Sequence, residues 1–518
     1  MNYRLGIDVG GTNTDAVILD KNDKVVSKCK RPTTADISTG IKEAVDEVLR
    51  ESKVDPVKIV HAMLGTTHST NAIVERKGLA RTGIVRLGAP SGLAVPPYLD
   101  WPEDVIPHIG KNYHIVKGGY EYNGIPLSNP DKEEIQRALD ALKKAKIEAL
   151  AVSGVFSPVN GEQEAMVHDL ALQTFGSDFP VSLSSEVGSI GILERENATI
   201  LNAAISGIAD RAYGSFQNVL RDHGVRADLF ITQNDGTLMA VDYARKYPVF
   251  TIASGPTNSL RGAAFLSGMS DALVVDVGGT TTDVGILKQG FPRESTTAME
   301  IGGVRTNFRM PDLIAIGLGG GSLVRSEEKT VRVGPDSVGY RITEEALIFG
   351  GRSLTATDVA VAAGMADLGD KSAVAGVDKE TVRQAVQRMK NMAEEVIDKM
   401  KTAAADMPVV LVGGGSILLP ERLIGASEVL RPDHFDVANA IGAAIAQVSG
   451  SIDGVYDVAT KGREVVIEEV KEQARQEALR AGAQADSVEI VELDEIPLAY
   501  LPSNAVRFRV KAVGRLGS

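Results

Sequence analysis

Apolar residues recur along this chain in two rhythms: short near-continuous runs, and longer stretches with a helical period. The runs Leu5 to Val9 and Ala16 to Leu19 predict two strands joined by a polar, glycine-bearing turn, and the same arrangement returns over residues 273–287. Residues 39–52 place Ile41, Val45, Val48 and Leu49 on one helical face. From Leu64 to Ala72 the pattern predicts a strand end, a polar turn and a helix start. Residues 129–146 predict a helix with Asn129 as N-cap and Pro130 at the first helical position. Asp131, Glu133 and Glu134 suit its positive end, and Lys143, Lys144 and Lys146 the other. Ile147 to Phe156 reads as the following strand, whereas 85–126, rich in Pro and Gly, predicts an irregular insertion. A long helix over 194–222 is expected to connect two halves, the second starting near Asp228 with a strand through Leu229, Phe230, Ile231 and Thr232. Another long helix is expected at 377–404. From Val455 the character changes to a charged helix at 463–481 and alternating strands ending in Val506 to Val510, as in a small separate α/β module.

The repeat carries the candidate chemistry. Residues 5–19, LGIDVGGTNTDAVIL, and 273–287, LVVDVGGTTTDVGIL, agree at ten of fifteen positions. Their separation is too wide for a solenoid, so the copies predict two related domains in one chain. Each is a hairpin whose turn needs glycine to bring backbone N–H groups against something bulky. In the first copy Gly10, Gly11, Thr12, Asn13 and Thr14 form an anion-binding concavity, with Asp8 placed to hold Mg²⁺ through water. The second copy offers Asp276, Gly278, Gly279, Thr280, Thr281, Thr282 and Asp283. Two such hairpins facing each other would clamp a triphosphate from both sides. One copy alone is equally an ordinary glycine-rich turn. A third cluster argues against that: the apolar run from Val409 to Val412 enters Gly413, Gly414, Gly415 and Ser416. The order resembles the actin-like ATPase fold, where a turn so placed packs against adenosine. A Walker A loop is not found in the sequence.

Composition narrows the class of partner. Net charge is −13, which opposes nucleic acid or an anionic membrane as the main partner. Glycine is unusually frequent at 53 residues, as close backbone approaches require. Cys29 is the single cysteine, so an intrachain disulfide and a thiolate metal cluster are excluded. The chain opens on a strand pattern with no leader before it, and no apolar run reaches membrane-spanning length. A cytoplasmic protein is the expectation.

Several segments in order resemble the hydantoinase A/oxoprolinase family. They are GIDVGGTNTDAV at 6–17, GTTHSTNAIVERKG at 65–78, SSEVGSIGILERENATILNAAI at 184–205, QNDGTLM at 233–239, ASGPTNS at 253–259, DVGGTTTDV at 276–284, GLGGGSL at 317–323 and TATDVAVAAG at 355–364. Two departures stand out: the family's histidine beside a glutamate is Ser185 here, and its proline–histidine–glutamate is replaced within Gly161 to Glu164. The resemblance implies an α/β protein with two ribonuclease-H-like, actin-like ATPase domains around a nucleotide cleft. Its expected divisions are 1–205, with an inserted substrate-side segment at 80–185, then 206–452, then a small α/β module at 453–518.

It also implies ATP and Mg²⁺ as cofactors. The expected activity is phosphorylation of a carbonyl or amide oxygen of a cyclic amide (hydantoin, 5-oxoproline or a related lactam) or a ketone, for hydrolysis or carboxylation. A separate hydantoinase B-like partner subunit and an oligomer are expected with it. Asp8 and Asp276 are then the carboxylates that orient Mg²⁺. Asp15 and Asp283 are catalytic candidates, with hairpin locking as the alternative. Thr66, Thr67, His68 and Asn71 would lie by the substrate. The loop Gly317 to Ser322 could bring its backbone to phosphate or substrate, or be a plain turn. His68, His108 and His114, the last two near Asp100 and Asp104, are candidates for a transition-metal site or for surface positions; His168, His223 and His434 read as solvated. A small-molecule kinase of the sugar-kinase type and an ATP-driven conformational regulator or reactivase remain alternatives.

Overall fold

The computed structural model describes residues 2–33, 37–295, 299–307, 310–327, 330–498 and 505–517. Each copy of the repeat forms a hairpin within its own sheet. In the first, β1 (Tyr3–Val9) pairs antiparallel with β2 (Asn13–Leu19), which pairs with β3 (Val25–Pro32). Helix α1 (Ile37–Ser52) follows, then β4 (Ile59–Thr66), parallel to β1, and helix α2 (His68–Glu75). The strands of this hairpin are apolar on both faces because both are covered. Leu5, Ile7, Ala16 and Ile18 pack on α1 and on Tyr213 and Phe216 of the long helix Ile192–Asp222, while Val17 and Leu19 pack on Ala440 and Ile441. Full burial of such side chains is worth about 1.5–3 kcal/mol each.

The segment expected to be irregular contains two strands of a parallel sheet. β5 (Thr82–Ala89), β6 (Asn112–Lys117), β7 (Ala149–Gly154) and β8 (Val181–Leu183) form a four-stranded sheet in the order β6-β5-β7-β8. The prolines and glycines that suggested irregularity fall mainly in the connection after β5, whereas Ile84, Val85 and Leu87 form a short, fully buried run. The next helix is Lys132–Lys144, and its cap is Asp131, not Asn129. The Asp131 carboxylate accepts from the N–H groups of Glu133 and Glu134, so Pro130 precedes the cap and Lys146 lies past the end at φ 55°.

After the long helix, β9 (Asp228–Thr232) and β10 (Thr237–Ala240) join the first sheet beside β4, although this strand was expected to open the second half. Gln447–Asp457 then pairs with β10 and with Ala505–Gly514, which pairs with Glu489–Pro497. Nine strands thus form one continuous sheet, and the strands of 453–518 lie at its far edge. Helix Arg463–Arg480 covers them through Val466, Val470, Ala474 and Ala478, packed with Phe508 and Val510.

The second hairpin is β11 (Ala272–Val277) with β12 (Thr282–Lys288). Its sheet continues through Met407–Val412, parallel to β11, and Ala426–Leu430. Helix Lys379–Met400 covers one face through Ala385, Met389, Ala393 and Ile397. Helices Ser254–Ser267 and Ala438–Ile445 cross between the two sheets at glycine contacts. A Cβ on Gly262 would fall on the carbonyl of Ala438, one on Gly442 on the carbonyl of Asn258, and one on Gly6 on that of Ala440. Only glycine permits backbones so close.

Candidate functional site

The two hairpin turns have the same internal bond and meet tip to tip. Gly10 N–H donates to the Asn13 carbonyl at 2.9 Å, and Gly278 N–H to the Thr281 carbonyl at 2.9 Å. The hydroxyls of Thr12 and Thr280 stand 3.3 Å apart. Together the turns wall one cleft of about 500 Å³, whose lining includes Gly10, Gly11, Thr12 and Asn13 opposite Gly278, Gly279, Thr280 and Thr281. Thr14 is buried behind its turn with its hydroxyl toward Thr33, so its side chain does not face the cleft as expected.

Each hairpin carries a pair of carboxylates directly across its two strands: Asp8 opposite Asp15, and Asp276 opposite Asp283. All four line the cleft. Asp8 accepts from the Asn258 amide at 2.9 Å through Oδ1 and from the Asn439 amide at 2.9 Å through Oδ2. Burial nevertheless pushes its carboxyl up to about 7, because these neutral donors only partly offset the desolvation of the charge. Gly65 leaves room for this arrangement, since a Cβ there would strike Asp8 Oδ1. Burial also raises Asp15, against the opposing effect of Lys30, whose ammonium contacts both its oxygens. Asp276 is raised by burial, with a Ser259 hydrogen bond acting the other way. Asp283 is pushed up to about 7, first by burial and then by the negative charge of Asp276.

Two further glycine clusters brace the second turn. Gly320 and Gly321 donate to the carbonyls of Gly278 and Gly279 at 3.0 and 2.7 Å, so this loop's backbone is spent largely on the hairpin, with Gly320 reaching the cleft. At the other side Gly413 adopts φ 81° and donates to Phe435 at 2.8 Å. A Cβ on Gly415 would lie 2.6 Å from the Gly278 carbonyl. Gly413, Gly414 and Gly415 line the cleft; Ser416, expected there, is fully buried behind the turn. Ile342, Phe349, Leu368 and Ile417 add apolar side chains to the cleft lining, Ile342 with its Cδ1 3.7 Å from where a Cβ on Gly320 would stand.

The expected substrate residues divide. Thr67 and Asn71 line the cleft, with the Asn71 amide 3.4 Å from the Thr67 hydroxyl. Thr66 is buried, and its hydroxyl engages Nδ1 of His68, whose imidazole burial holds below the ordinary histidine range. Neither is part of the cleft lining. No group of three His, Cys, Asp or Glu side chains able to hold a metal exists among the described residues, so His68, His108 and His114 do not assemble one with Asp100 and Asp104. His223 is not simply solvated: its ring bridges the Val219 carbonyl and Asp46, each at 2.6 Å, tying the long helix to α1. At the departure from the family pattern, Glu164 is buried and closed off by Ser184 Oγ at 2.5 Å and by the Ser185 N–H and hydroxyl at 2.9 and 2.7 Å.

Sequence reasoning missed Lys30, Asn258, Ser259 and Asn439. Asn258 and Ser259 sit inside the ASGPTNS segment, which carried a family signal but no role. Lys30 and Asn439 had no local signal at all.

The cleft is bounded by two hairpins with paired carboxylates and a glycine turn, and sequence likeness gives the family. The profiles described as hydantoinase/oxoprolinase N-terminal region and hydantoinase/oxoprolinase match residues 4–175 and 195–368. The chain belongs to the hydantoinase/oxoprolinase family. It is 24% identical over 477 residues to caprolactamase subunit alpha of Pseudomonas jessenii, covering 85% of this chain and 65% of that one. It is 27% identical over 372 residues to the acetone carboxylase beta subunit of Xanthobacter autotrophicus, covering 65% and 51%. The chain thus spans roughly half to two thirds of the length of such relatives. The crystal structure of ATP-dependent caprolactamase from Pseudomonas jessenii superposes with a TM-score of 0.77 at 20% identity, covering 99% of this chain and 88% of that chain, and shows a shared fold. No helix among the described residues is long and apolar enough to cross a membrane.

Proposed function

We propose that this chain is the ATP-binding subunit of an enzyme that phosphorylates the carbonyl or amide oxygen of a cyclic amide, such as a hydantoin, 5-oxoproline or related lactam, or of a ketone. The observation that carries the reading is the contact between the Thr12 and Thr280 turns over one carboxylate-lined cleft. In this reading Gly10 to Asn13 hold one side of the phosphates and Gly278 to Thr281 the other. A Cβ on Gly11 would meet nothing within 4 Å, so that turn leaves space for a ligand. The apolar side chains Ile342, Phe349, Leu368 and Ile417 in the same cleft suit a flat base such as adenine.

The donor set fits Mg²⁺ arriving with the nucleotide, since Mg²⁺ usually takes one or two carboxylates together with substrate phosphates and water. Asp8 and Asp276 would hold it, Asp8 acting through water because both its oxygens already accept from amides. When bound, the ion would neutralise phosphate charge. The protein's own task is orientation: an unactivated lactam is a poor electrophile, and phosphorylation makes its oxygen a leaving group once the two are held in line. Asp283 is placed to take a proton from an attacking nucleophile, and Thr67 and Asn71 to orient the substrate at the cleft wall.

Relatives named as alpha and beta subunits, longer than this chain, support a separate partner, which we take to be hydantoinase B-like. The test is ADP release measured against hydantoins, lactams, 5-oxoproline and ketones, with and without the product of a neighbouring gene. Substrate-dependent release that needs the partner supports the proposal. A stable phosphorylated product formed without one would favour a kinase instead, and stimulation only by a protein a conformational regulator.

A further inference from the structure

Across β1, β2 and β3 the register sets Asp8, Asp15 and Lys30 directly opposite one another, and all three line the cleft. The Lys30 ammonium lies 2.6 Å from Asp15 Oδ1 and 2.7 Å from Oδ2. Its stem reaches toward the opposite wall: a Cβ on Gly414 would stand 3.7 Å from Lys30 Cε. Lys30 therefore lies between the first hairpin and the glycine turn of the second sheet.

Among the described residues lining the cleft, Lys30 is the one basic side chain, set against Asp8, Asp15, Asp276, Asp283 and Asp436. The second hairpin has no equivalent, because Asp283 holds the position matching Asp15 without a lysine or arginine within ion-pair distance among the described residues. A polyphosphate entering so acidic a cleft is repelled unless positive charge meets it. An ammonium has three N–H groups, and with Asp15 as its one ion-pair partner among the described residues it keeps donor capacity for a ligand. Its side chain is 28% exposed while that of Asp15 is 1% exposed, so the cation faces the cleft and the carboxylate sits behind it.

We propose that Lys30 is a phosphate-binding residue: its ammonium, held by Asp15, contacts the terminal phosphates of the nucleotide, and Asp15 is the carboxylate that positions it. The inference rests on the nucleotide reading above and adds to it a direct contact and a division of labour between the two hairpins. The first supplies a cation to the phosphates, and the second supplies an uncompensated carboxylate.

The experiment is calorimetric titration of the full chain with Mg·ATP and, separately, adenosine, using Lys30→Met, Asp15→Asn and the double variant. Lys30→Met is expected to weaken Mg·ATP about tenfold or more, as loss of a charge-assisted contact does, while adenosine affinity stays unchanged. The decisive comparison is made in the Asp15→Asn background, where no buried carboxylate is left unpaired and folding is not compromised by its exposure. Adding Lys30→Met there should still cost Mg·ATP affinity, but by less than in the unmodified chain, because the ammonium has lost the carboxylate that positions it. Equal Mg·ATP affinity of Asp15→Asn and the double variant would overturn the inference, since Lys30 would then act only as the counterion of Asp15. Failure of the unmodified chain to bind Mg·ATP would instead overturn the nucleotide reading itself.

Discussion

Asn439 donates its side-chain amide to Asp8 at 2.9 Å, across 431 positions of chain. The opposite oxygen of Asp8 accepts from Asn258 at 2.9 Å. The two amides arrive together because the helices that carry them touch at Gly262 and Gly442. The central carboxylate of the cleft is therefore oriented by elements packed between the two sheets, and its position reports how those elements are packed.

Asn439→Ala should leave one oxygen of Asp8 without its donor inside a buried site. A loss of about 1–3 kcal/mol in urea denaturation is expected, together with a marked fall in nucleotide turnover. Asn439→Asp, which sets a second carboxylate against the first, should be worse than alanine in both measurements.

Gly442→Ala places a methyl group on the Asn258 carbonyl, so the helices must separate. Overpacking of this kind costs about 1–3 kcal/mol. Thermal melting should register that loss, and nucleotide affinity should fall with it because Asn258 moves away from Asp8.

Gly279→Ala tests the contact between the hairpins. Its Cβ would stand 2.5 Å from Thr12 Cγ2, forcing the turns apart. Binding of Mg·ATP should weaken by about tenfold while the melting temperature changes little, since the affected turns border the cleft. Thr12→Ser in the same chain removes the opposing methyl group, keeps the hydroxyl, and should recover part of the affinity. No recovery would mean that the turns do not act across the cleft.

Asp8→Asn or Asp276→Asn should abolish nucleotide hydrolysis with the fold retained, as read by ADP release and circular dichroism. Full activity in both variants would remove them from the metal-orienting role.

The pH dependence has a definite sign. Asp8 and Asp283 are both pushed up to about 7, above the value of an aspartate in the unfolded chain. Between about pH 4 and 7 the folded protein therefore holds protons that the unfolded chain has released, and stability falls as pH rises through that window. Asp283→Asn should flatten the fall and raise the melting temperature at pH 8, while abolishing turnover. Nucleotide hydrolysis by the unmodified protein should rise through pH 7 as Asp283 loses its proton.

The hairpins, their glycine turns and their aspartates were legible in the sequence because each depends on local chemistry. A strand that ends in Gly-Gly-Thr encodes its turn within a few residues, and two copies of it declare a pairing of related structures. The long helices at Ile192–Asp222 and Lys379–Met400 were legible for the same reason, through periodicity. Less local features were not. Thr14 and Ser416 share their neighbours' composition but point behind the turns, a matter of strand pleat and turn geometry. The strand at Asp228–Thr232 was recognised, but its sheet was not, because partner choice depends on packing across the whole chain.

What the sequence determined by itself was thus the local chemistry of the turns and the family to which they belong. Tertiary structure alone decided that Asn258 and Asn439 hold Asp8, that Lys30 rather than another cation meets Asp15, and that His68 turns to Thr66 instead of joining a metal site. The physical reason is range. Turn conformation and amphipathic period are set by neighbours in sequence, whereas burial, register and side-chain partnership are set by groups that only folding brings within a few ångströms.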